Sequence, residues 1–130
     1  MTDQALVELA FTMLERSYVP YSKFPVGAAL LCADGTVFTG CNVENAAYGS
    51  TICAERTALV KAVSEGHREF TALAVAGKSR DYCWPCGACR QMLYEFAPGL
   101  TVLVAREDGD YVELPLKELL PHGFGPGSLD

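Results

Sequence analysis

Three cysteines and one glutamate have the spacing in this sequence that most clearly indicates chemistry. Cys53 precedes Glu55 by two residues, and Cys86 and Cys89 are three residues apart. The residues that follow Cys53 and Cys86 favour helices, so both cysteines are predicted to lie at helix starts. A helix N-terminus lowers the pKa of a thiol and favours the thiolate that binds metal. We therefore predict that the three thiols share one metal ion.

A set of three thiolates, Cys53, Cys86 and Cys89, describes a zinc site with one open coordination position. Cys86 and Cys89 fall on one face of their helix start, so they are able to hold the same ion. An open position holds a water molecule, and a water on zinc indicates catalysis. Glu55 is one residue short of a helical turn from Cys53. We expect it to reach this position as the catalytic carboxylate without binding the metal.

The charge of this predicted site requires compensation. Zn²⁺ with three thiolates carries a formal charge of −1, which weakens its effect on a water molecule compared with a histidine-rich site. Arg56 follows Glu55 directly and is predicted to donate hydrogen bonds to the thiolates, each worth about 1.5–3 kcal/mol. We favour Arg56 over Arg90 for this role.

Length and composition predict a single folded domain over residues 1–130. Half of the residues are hydrophobic and 20% are charged, which is a globular mixture. The net charge of −6 opposes binding to a phosphate backbone, so long nucleic acid is an unfavourable partner. The chain has no apolar run of about 18 residues, and residues 1–4 lack the features of a signal peptide. Together with six cysteines in a chain of this size, these features predict a protein of the reducing cytoplasm that does not bind membranes.

The pattern of apolar residues and turn signals predicts an α/β fold. Helices are predicted over 3–16, with Thr2 as the cap, and over 54–63, 88–96 and 115–120. Strands are predicted over 26–33, 36–39, 70–76, 100–105 and 111–114, with Asp-Gly turns at 34–35 and 108–109. This order favours a mixed sheet of about five strands with helices on both faces, a three-layer α/β/α architecture. Cys32 and Cys41 are predicted to be buried apolar side chains, and His67 and His122 to be solvated.

Residues 53–55 and 85–91 together resemble the zinc-dependent nucleoside deaminases, specifically the small homotetrameric cytidine deaminases. The family signature permits three cysteine ligands. Residues 21–29, 40–45 and 119–126 also resemble segments of that family, so the likeness extends over nearly the whole chain. It implies the cytidine deaminase fold, one zinc ion per subunit and a homotetramer with sites shared between subunits.

The resemblance also implies roles for residues outside the cysteine cluster. Asn42 and Glu44 match the residues that hold the ribose hydroxyl. Phe24 and Phe124 match aromatic residues that flank the pyrimidine ring. The tail, residues 121–130, would dock on the site of a neighbouring subunit.

Two further substrate contacts are implied by the same resemblance. Ala54 would offer its backbone to the amide side of the pyrimidine, and Tyr48 would come from an adjacent subunit. The implied reaction is hydrolysis of cytidine and 2′-deoxycytidine to uridine and 2′-deoxyuridine, with release of ammonia, in pyrimidine salvage. In it, Glu55 takes a proton from water and delivers it to ring N3, hydroxide attacks C4, and Glu55 carries a second proton to the departing ammonia.

Several alternatives remain open at this point. Cys83 and Cys86 have the spacing of a thiol redox motif between a strand and a helix. Cys83 or Cys41 as a fourth ligand would make a closed structural zinc site. Deamination of a related aminonucleoside such as blasticidin S, or of a base in a polynucleotide, would use the same chemistry, although the acidic composition disfavours the latter. Cys83 and Trp84 depart from the family pattern, and Cys83 is a candidate to compete for the metal or to crosslink with Cys86 on oxidation.

Overall fold

The computed structural model describes residues 1–129 and contains four α-helices and five strands within them. The helices are α1 (Asp3–Thr12), α2 (Ala54–Ser64), α3 (Gly87–Phe96) and α4 (Leu116–Leu119). The strands are β1 (Val26–Cys32), β2 (Val37–Cys41), β3 (Phe70–Gly77), β4 (Thr101–Ala105) and β5 (Tyr111–Pro115). Short 3-10 turns occupy Met13–Arg16, Tyr48–Ser50 and Pro126–Leu129.

The five strands form one mixed sheet in the order β2-β1-β3-β4-β5. Only β3 and β4 pair in parallel, and the other three neighbouring pairs are antiparallel. Each predicted Asp-Gly turn connects the two strands of one hairpin. Gly35 and Gly109 in these turns have φ near +90°, a conformation that is strained for residues with a side chain and not for glycine. The prediction of a five-stranded mixed sheet is confirmed.

Helices cover both faces of the sheet, which gives the predicted three layers. The apolar side of α1, including Leu6 and Ala10, packs on one face. The other face packs against α2, α3 and α4, through residues such as Leu59, Leu93 and Leu116. Thr2 accepts a hydrogen bond from the Ala5 amide at 3.1 Å, so the predicted cap of α1 is present. The helix proper ends at Thr12, because the last turn of the predicted segment tightens to 3-10 geometry.

The topology places the starts of α2 and α3 at the same edge of the sheet. Strands β2 and β3 are each antiparallel to β1, so they run in the same direction and end at the same edge. Helix α2 follows β2, and α3 follows β3. This is the edge at which open α/β sheets bind ligands.

Close packing positions the start of α2 over β2. A Cβ atom on Gly40 in β2 would overlap the carbonyl oxygen of Ala54 and lie 2.6 Å from the amide nitrogen of Ala58. The absence of a side chain at Gly40 therefore allows the first turn of α2, which carries Glu55, to contact the strand directly.

Two predictions for side chains away from the cluster are wrong. His67 is only partly exposed, because its Nε2 lies 3.2 Å from the Asp34 carboxylate and its ring packs edge-on against Phe38 at 5.0 Å. Cys41 is partly exposed, unlike Cys32, which is buried in the core as predicted. The Asp34 contact ties the β1–β2 turn to the residues that follow α2. Within residues 1–129, no helix has the length and apolar character needed to cross a membrane.

Candidate active site

The three predicted ligand cysteines meet where α2 and α3 begin. Their sulfur atoms all lie within 4.8 Å of one another. The Cys53 and Cys86 sulfurs are 3.7 Å apart, and those of Cys86 and Cys89 are 3.2 Å apart. Two zinc–sulfur bonds of about 2.3 Å at a tetrahedral angle separate their sulfurs by about 3.8 Å. The donor type and spacing therefore fit one zinc ion.

Each of the two helix starts contributes differently to the cluster. Cys53 is the N-cap residue of α2 with an extended backbone, and its side chain makes no capping hydrogen bond. Cys86 is the N-cap residue of α3, and its sulfur accepts a hydrogen bond from the Cys89 amide at 3.4 Å. Hydrogen bonding from Cys89, and then from Arg56, lowers the pKa of the Cys53 thiol. These hydrogen bonds favour a negatively charged sulfur at Cys53, and the same hydrogen bond to Cys53, together with burial, raises the pKa of the Cys89 thiol.

Glu55 is the one buried charged residue among those the structure describes, with 4% of its surface exposed. It lies in the first turn of α2 and contributes to the wall of a cavity that also contains Cys53 and Cys86. Burial, with a smaller contribution from the nearby Cys53 charge, raises the pKa of the Glu55 carboxyl to about 7. A carboxyl with such a pKa both accepts and releases protons near neutral pH, which suits a general acid–base residue.

The two arginines near the cluster have different partners. Arg56 Nη2 donates to the Cys53 sulfur at 3.5 Å and to the Thr51 carbonyl oxygen at 3.2 Å. Arg90 instead donates to the carbonyl oxygens of Pro85 and Leu119, both at 2.8 Å. Arg56 therefore contacts the Cys53 sulfur, whereas Arg90 attaches α3 to the segment before it and to the end of α4.

Two adjoining cavities open beside the cluster, and both include Thr51 in their walls. The first, of about 200 Å³, contains Glu55 and is lined mainly by apolar atoms. Its wall residues are Phe24, Val26, Asn42, Thr51, Ile52, Cys53, Ala54, Glu55, Cys83, Trp84 and Cys86. The second, of about 430 Å³, is lined by Tyr21, Ser22, Glu44, Tyr48 and Thr51. The predicted substrate residues Phe24, Asn42 and Ala54 lie in the first cavity, and Glu44 and Tyr48 lie in the second.

Asn42 and Glu44 organise the segment before β1 as well as lining the cavities. The Asn42 side chain accepts from the Val26 amide and donates to the Phe24 carbonyl oxygen, both at 2.9 Å. Glu44 accepts from the amides of Tyr21 and Ser22 and from the Ser22 hydroxyl. The Ser22 hydrogen bonds lower the pKa of the Glu44 carboxyl, so it is an anion at neutral pH.

These contacts leave binding capacity on both side chains. The Asn42 amide has a second N–H, and the Glu44 carboxylate has lone pairs beyond those that Ser22 and Tyr21 use. Tyr21, Ser22 and Thr51 also line the second cavity and were not among the predicted site residues. Tyr21 and Ser22 lie in segment 21–29, which resembles the family, so the sequence did contain an indication of their role. Their contact with Glu44 joins residues 22–23 positions apart, and short-range patterns do not predict such a contact.

The tail packs against α3 of the same chain, while the Phe124 ring is exposed. Gln91 on α3 donates to the carbonyl oxygen of Phe124 at 2.7 Å, and Gly123 and Gly125 pass closely over the Tyr94 ring. The Phe124 side chain is nevertheless 58% exposed and is not part of the wall of either cavity. The backbone of the tail is therefore anchored, and the ring is free to reach another molecule.

Cys83 stands apart from the group of mutually close ligand atoms that Cys53, Cys86 and Cys89 form. Its sulfur packs against the backbone at Gly77, where a Cβ atom would lie 2.8 Å away. Burial raises the pKa of the Cys83 thiol to about 12, so it is uncharged at neutral pH. A neutral thiol is a poor metal ligand and a slow nucleophile in disulfide exchange.

The fold and the site together define a class: a metal-dependent α/β hydrolytic enzyme with three thiolate ligands and one buried carboxyl. Comparison with known proteins identifies the family within this class. The family described as "Cytidine and deoxycytidylate deaminase zinc-binding region" matches residues 1–105. The chain belongs to this cytidine deaminase family, and the resemblance recognised from the sequence is confirmed.

Individual relatives are similar over most of the chain. A cytidine deaminase of Sporosarcina psychrophila is 53% identical over 116 residues, which are 88% of this chain and 85% of that protein. One from Halalkalibacterium halodurans is 50% identical over 125 residues, which are 95% of each chain. The crystal structure of cytidine deaminase from Burkholderia pseudomallei superimposes with a TM-score of 0.92 at 50% identity, covering 95% of this chain and all of that one.

Proposed function

We propose that this protein is a zinc-dependent deaminase that hydrolyses cytidine and 2′-deoxycytidine to the corresponding uridines, with release of ammonia, in pyrimidine salvage. The observation that carries the proposal is the buried Glu55 carboxyl in the wall of a cavity beside three mutually close thiols. Relatives named cytidine deaminase are 50–53% identical to this chain, and the crystal structure of one cytidine deaminase has the same fold.

The residues of the site have separable roles in this reaction. Cys53, Cys86 and Cys89 would hold zinc, which supplies Lewis-acid activation of water when it is bound. Glu55 removes a proton from the attacking water and delivers it to ring N3, and it carries a second proton to the ammonia that leaves C4. Burial of Glu55 supports this role, because a carboxyl with a raised pKa holds the proton between the two transfers.

The two adjoining cavities match the two halves of a nucleoside. The cavity with Phe24 and Glu55 is largely apolar and suits a flat pyrimidine, and the backbone of Ala54 is available there to the ring. The neighbouring cavity, with the anionic Glu44, suits the hydroxyl groups of a ribose. With the capacity that their structural contacts leave free, Asn42 would donate a hydrogen bond to the sugar and Glu44 would accept hydrogen bonds from its hydroxyl groups.

The structural observations weigh against the other uses of the cysteines. A dithiol redox pair of Cys83 and Cys86 would need a reactive thiol, but burial keeps Cys83 protonated. A closed structural zinc site would need a fourth ligand, and among residues 1–129 the group of close ligand atoms at the site has three members. Neither alternative uses the buried Glu55.

The homotetramer and the sharing of sites between subunits also belong to this proposal. An apolar surface beside the site contains Val43, Ile52 and Val60, which are 42%, 39% and 50% exposed. The Nε of Arg56 is buried beside this surface and has no hydrogen-bond partner among residues 1–129. A second subunit on this surface would cover the apolar side chains and could supply a hydrogen-bond acceptor for the Arg56 Nε–H.

The neighbouring subunits would also complete the site. We propose that Tyr48, 75% exposed, and Phe124 in the tail 121–130 contact the substrate site of an adjacent subunit. The six cysteines are all free, and oxidation of the three clustered thiols would prevent zinc binding, so the reducing cytoplasm is the compartment that this site requires.

The deciding experiment measures ammonia release from cytidine by purified, zinc-loaded protein and by its Glu55→Ala and Glu55→Gln variants. We expect turnover in the wild type and a loss of at least about 10²–10⁴-fold in both variants, because the proton carrier is removed. Zinc content should remain at one per chain in all three proteins. Near-normal turnover in the variants would refute the role of Glu55. If zinc-loaded wild type is inactive on cytidine and active on blasticidin S, the proposed substrate is wrong and the proposed deamination chemistry is retained.

A further inference from the structure

Trp84 is an exposed aromatic side chain in the wall of the cavity that contains Glu55. It is 47% exposed, it is the only tryptophan in the sequence, and it follows Cys83 immediately before the metal-binding segment. Phe24, also in the wall of this cavity, is 38% exposed. An exposed indole in a largely apolar cavity is available for contact with a flat ring.

A chain of contacts behind Trp84 holds the indole at this position. Its ring packs edge-on against Tyr82 with centroids 6.2 Å apart, and its amide donates to the Tyr82 carbonyl oxygen at 3.0 Å. The Tyr82 hydroxyl in turn donates to Asp110 at 3.1 Å, and the Arg106 guanidinium lies 5.1 Å from the centre of the Tyr82 ring. Arg106 and Asp110 form an ion pair of 2.9 Å across the β4–β5 turn. The indole is therefore supported from the hairpin rather than free in solvent.

The orientation required by the reaction indicates which part of the base Trp84 faces. Glu55 on α2 must reach both N3 and C4 of the pyrimidine, so the N3 edge faces the start of α2. The other neighbour of C4 in the ring is C5, which points to the opposite side. The segment before α3, which carries Cys83 and Trp84, contributes to the wall of the same cavity and is a different element from α2.

We propose that the Trp84 side chain is a specificity-determining residue that forms the wall beside C5 of the pyrimidine and excludes bases with a substituent at that carbon. This inference rests on the proposed deamination of cytidine. The edge-on contact with Tyr82, which is itself held by Asp110, favours one position of the indole, and in that position it would oppose an added methyl group.

The first test compares cytidine and 5-methylcytidine as substrates of the wild type, Trp84→Phe and Trp84→Ala. A methyl group in a pocket changes selectivity by about 10–200-fold. We expect Trp84→Ala to raise kcat/KM for 5-methylcytidine relative to cytidine by at least about tenfold, with Trp84→Phe in between. Its KM for cytidine should increase while kcat changes little. A disturbed fold would instead lower kcat/KM for both substrates by the same factor and leave the ratio of the two values unchanged.

The second test uses the fluorescence of the single tryptophan and does not depend on catalysis. Zinc-loaded Glu55→Gln protein is titrated with cytidine, and binding is followed in parallel by calorimetry. We expect a saturable change in Trp84 emission with the dissociation constant that calorimetry gives. Calorimetric binding without an emission change, or a substrate ratio in Trp84→Ala equal to that of the wild type, would overturn the inference while leaving the proposed function intact. If the wild type is inactive on both nucleosides, and neither its tryptophan emission nor its calorimetric signal changes with cytidine, the inference about Trp84 and the proposed function are both overturned.

Discussion

At the scale of single residues, the site depends on side chains that serve structure and chemistry together. Cys86 is both a cap of α3 and a proposed metal ligand, and Asn42 both holds the segment before β1 and lines the cavity that contains Glu55. Glu55 gains its raised pKa from the burial that the packing of α2 imposes. Substitution at such positions therefore affects local structure as well as reactivity.

Arg56 offers a test of charge compensation at the thiolates. We expect Arg56→Gln to weaken zinc binding and lower kcat by about 10–100-fold, the usual effect of removing a partner of a metal ligand. Zinc affinity is measured by competition with a chromophoric chelator, and activity by ammonia release. Arg80→Gln is the matched control, because Arg80 is exposed and carries the same charge. Equal zinc affinity in Arg56→Gln and the control would contradict this role.

At the scale of the secondary-structure elements, the close contact between β2 and α2 positions Cys53 and Glu55. The hydrogen bond from the Thr57 hydroxyl to the Cys41 carbonyl oxygen, at 3.0 Å, joins the same two elements. The start of α2 therefore has little freedom to shift relative to the sheet. Gly40 is the position at which this contact is closest.

We predict that Gly40→Ala destabilises the protein by about 1–3 kcal/mol, because the added methyl group overlaps the backbone of α2. Activity should fall by a larger factor than zinc content, since the shift moves Glu55. Urea unfolding, zinc analysis and ammonia release give the three quantities. Gly99→Ala is the control, because a Cβ atom there meets no atom within 4 Å. Wild-type stability in Gly40→Ala would show that α2 adjusts without cost.

At the scale of the whole molecule, the metal would join two helices that are distant in sequence. Cys53 and Cys86 are 33 positions apart, and a single ion bound to both would hold the starts of α2 and α3 together. Because zinc binds the folded arrangement of thiols, its binding energy adds to the stability of the fold.

Removal of zinc should therefore lower the thermal unfolding temperature. We expect chelator-treated protein to unfold at a lower temperature than the zinc-loaded form, and added Zn²⁺, but not Mg²⁺, to restore it because thiolates are soft ligands. Calorimetry measures the change. Cys86→Ser should lose both the zinc and the response, whereas Cys41→Ser, outside the cluster, should retain them. A response that survives in Cys86→Ser would place the stabilising ion elsewhere.

The tail gives a second prediction at this scale. If Phe124 contacts the substrate of a neighbouring subunit, Phe124→Ala should raise the KM for cytidine by about tenfold, the effect of losing roughly one buried aromatic contact. Its sedimentation coefficient should equal that of the wild type, which we propose is a tetramer. Leu129→Ala, which removes an exposed apolar side chain of the same tail, should leave KM unchanged. A monomeric wild type with full activity would exclude shared sites.

The amino-acid sequence by itself determined the local features of this protein. Residue type and short spacing predict three of these features: the helix starts at Cys53 and Cys86, the hairpin turns at Gly35 and Gly109, and the set of three thiol ligands. They are predictable because capping, turn geometry and thiolate chemistry act over a few residues. The family likeness extended this to zinc and deamination.

Only the tertiary structure decided what depends on contacts between distant segments. It brought Cys53 to Cys86, buried Glu55, directed Glu44 to the turn at Ser22 and paired His67 with Asp34. Burial and long-range contact arise from the packing of the whole chain, which no short window of sequence contains. For the same reason the position of Trp84 beside the catalytic cavity became visible only in the folded molecule.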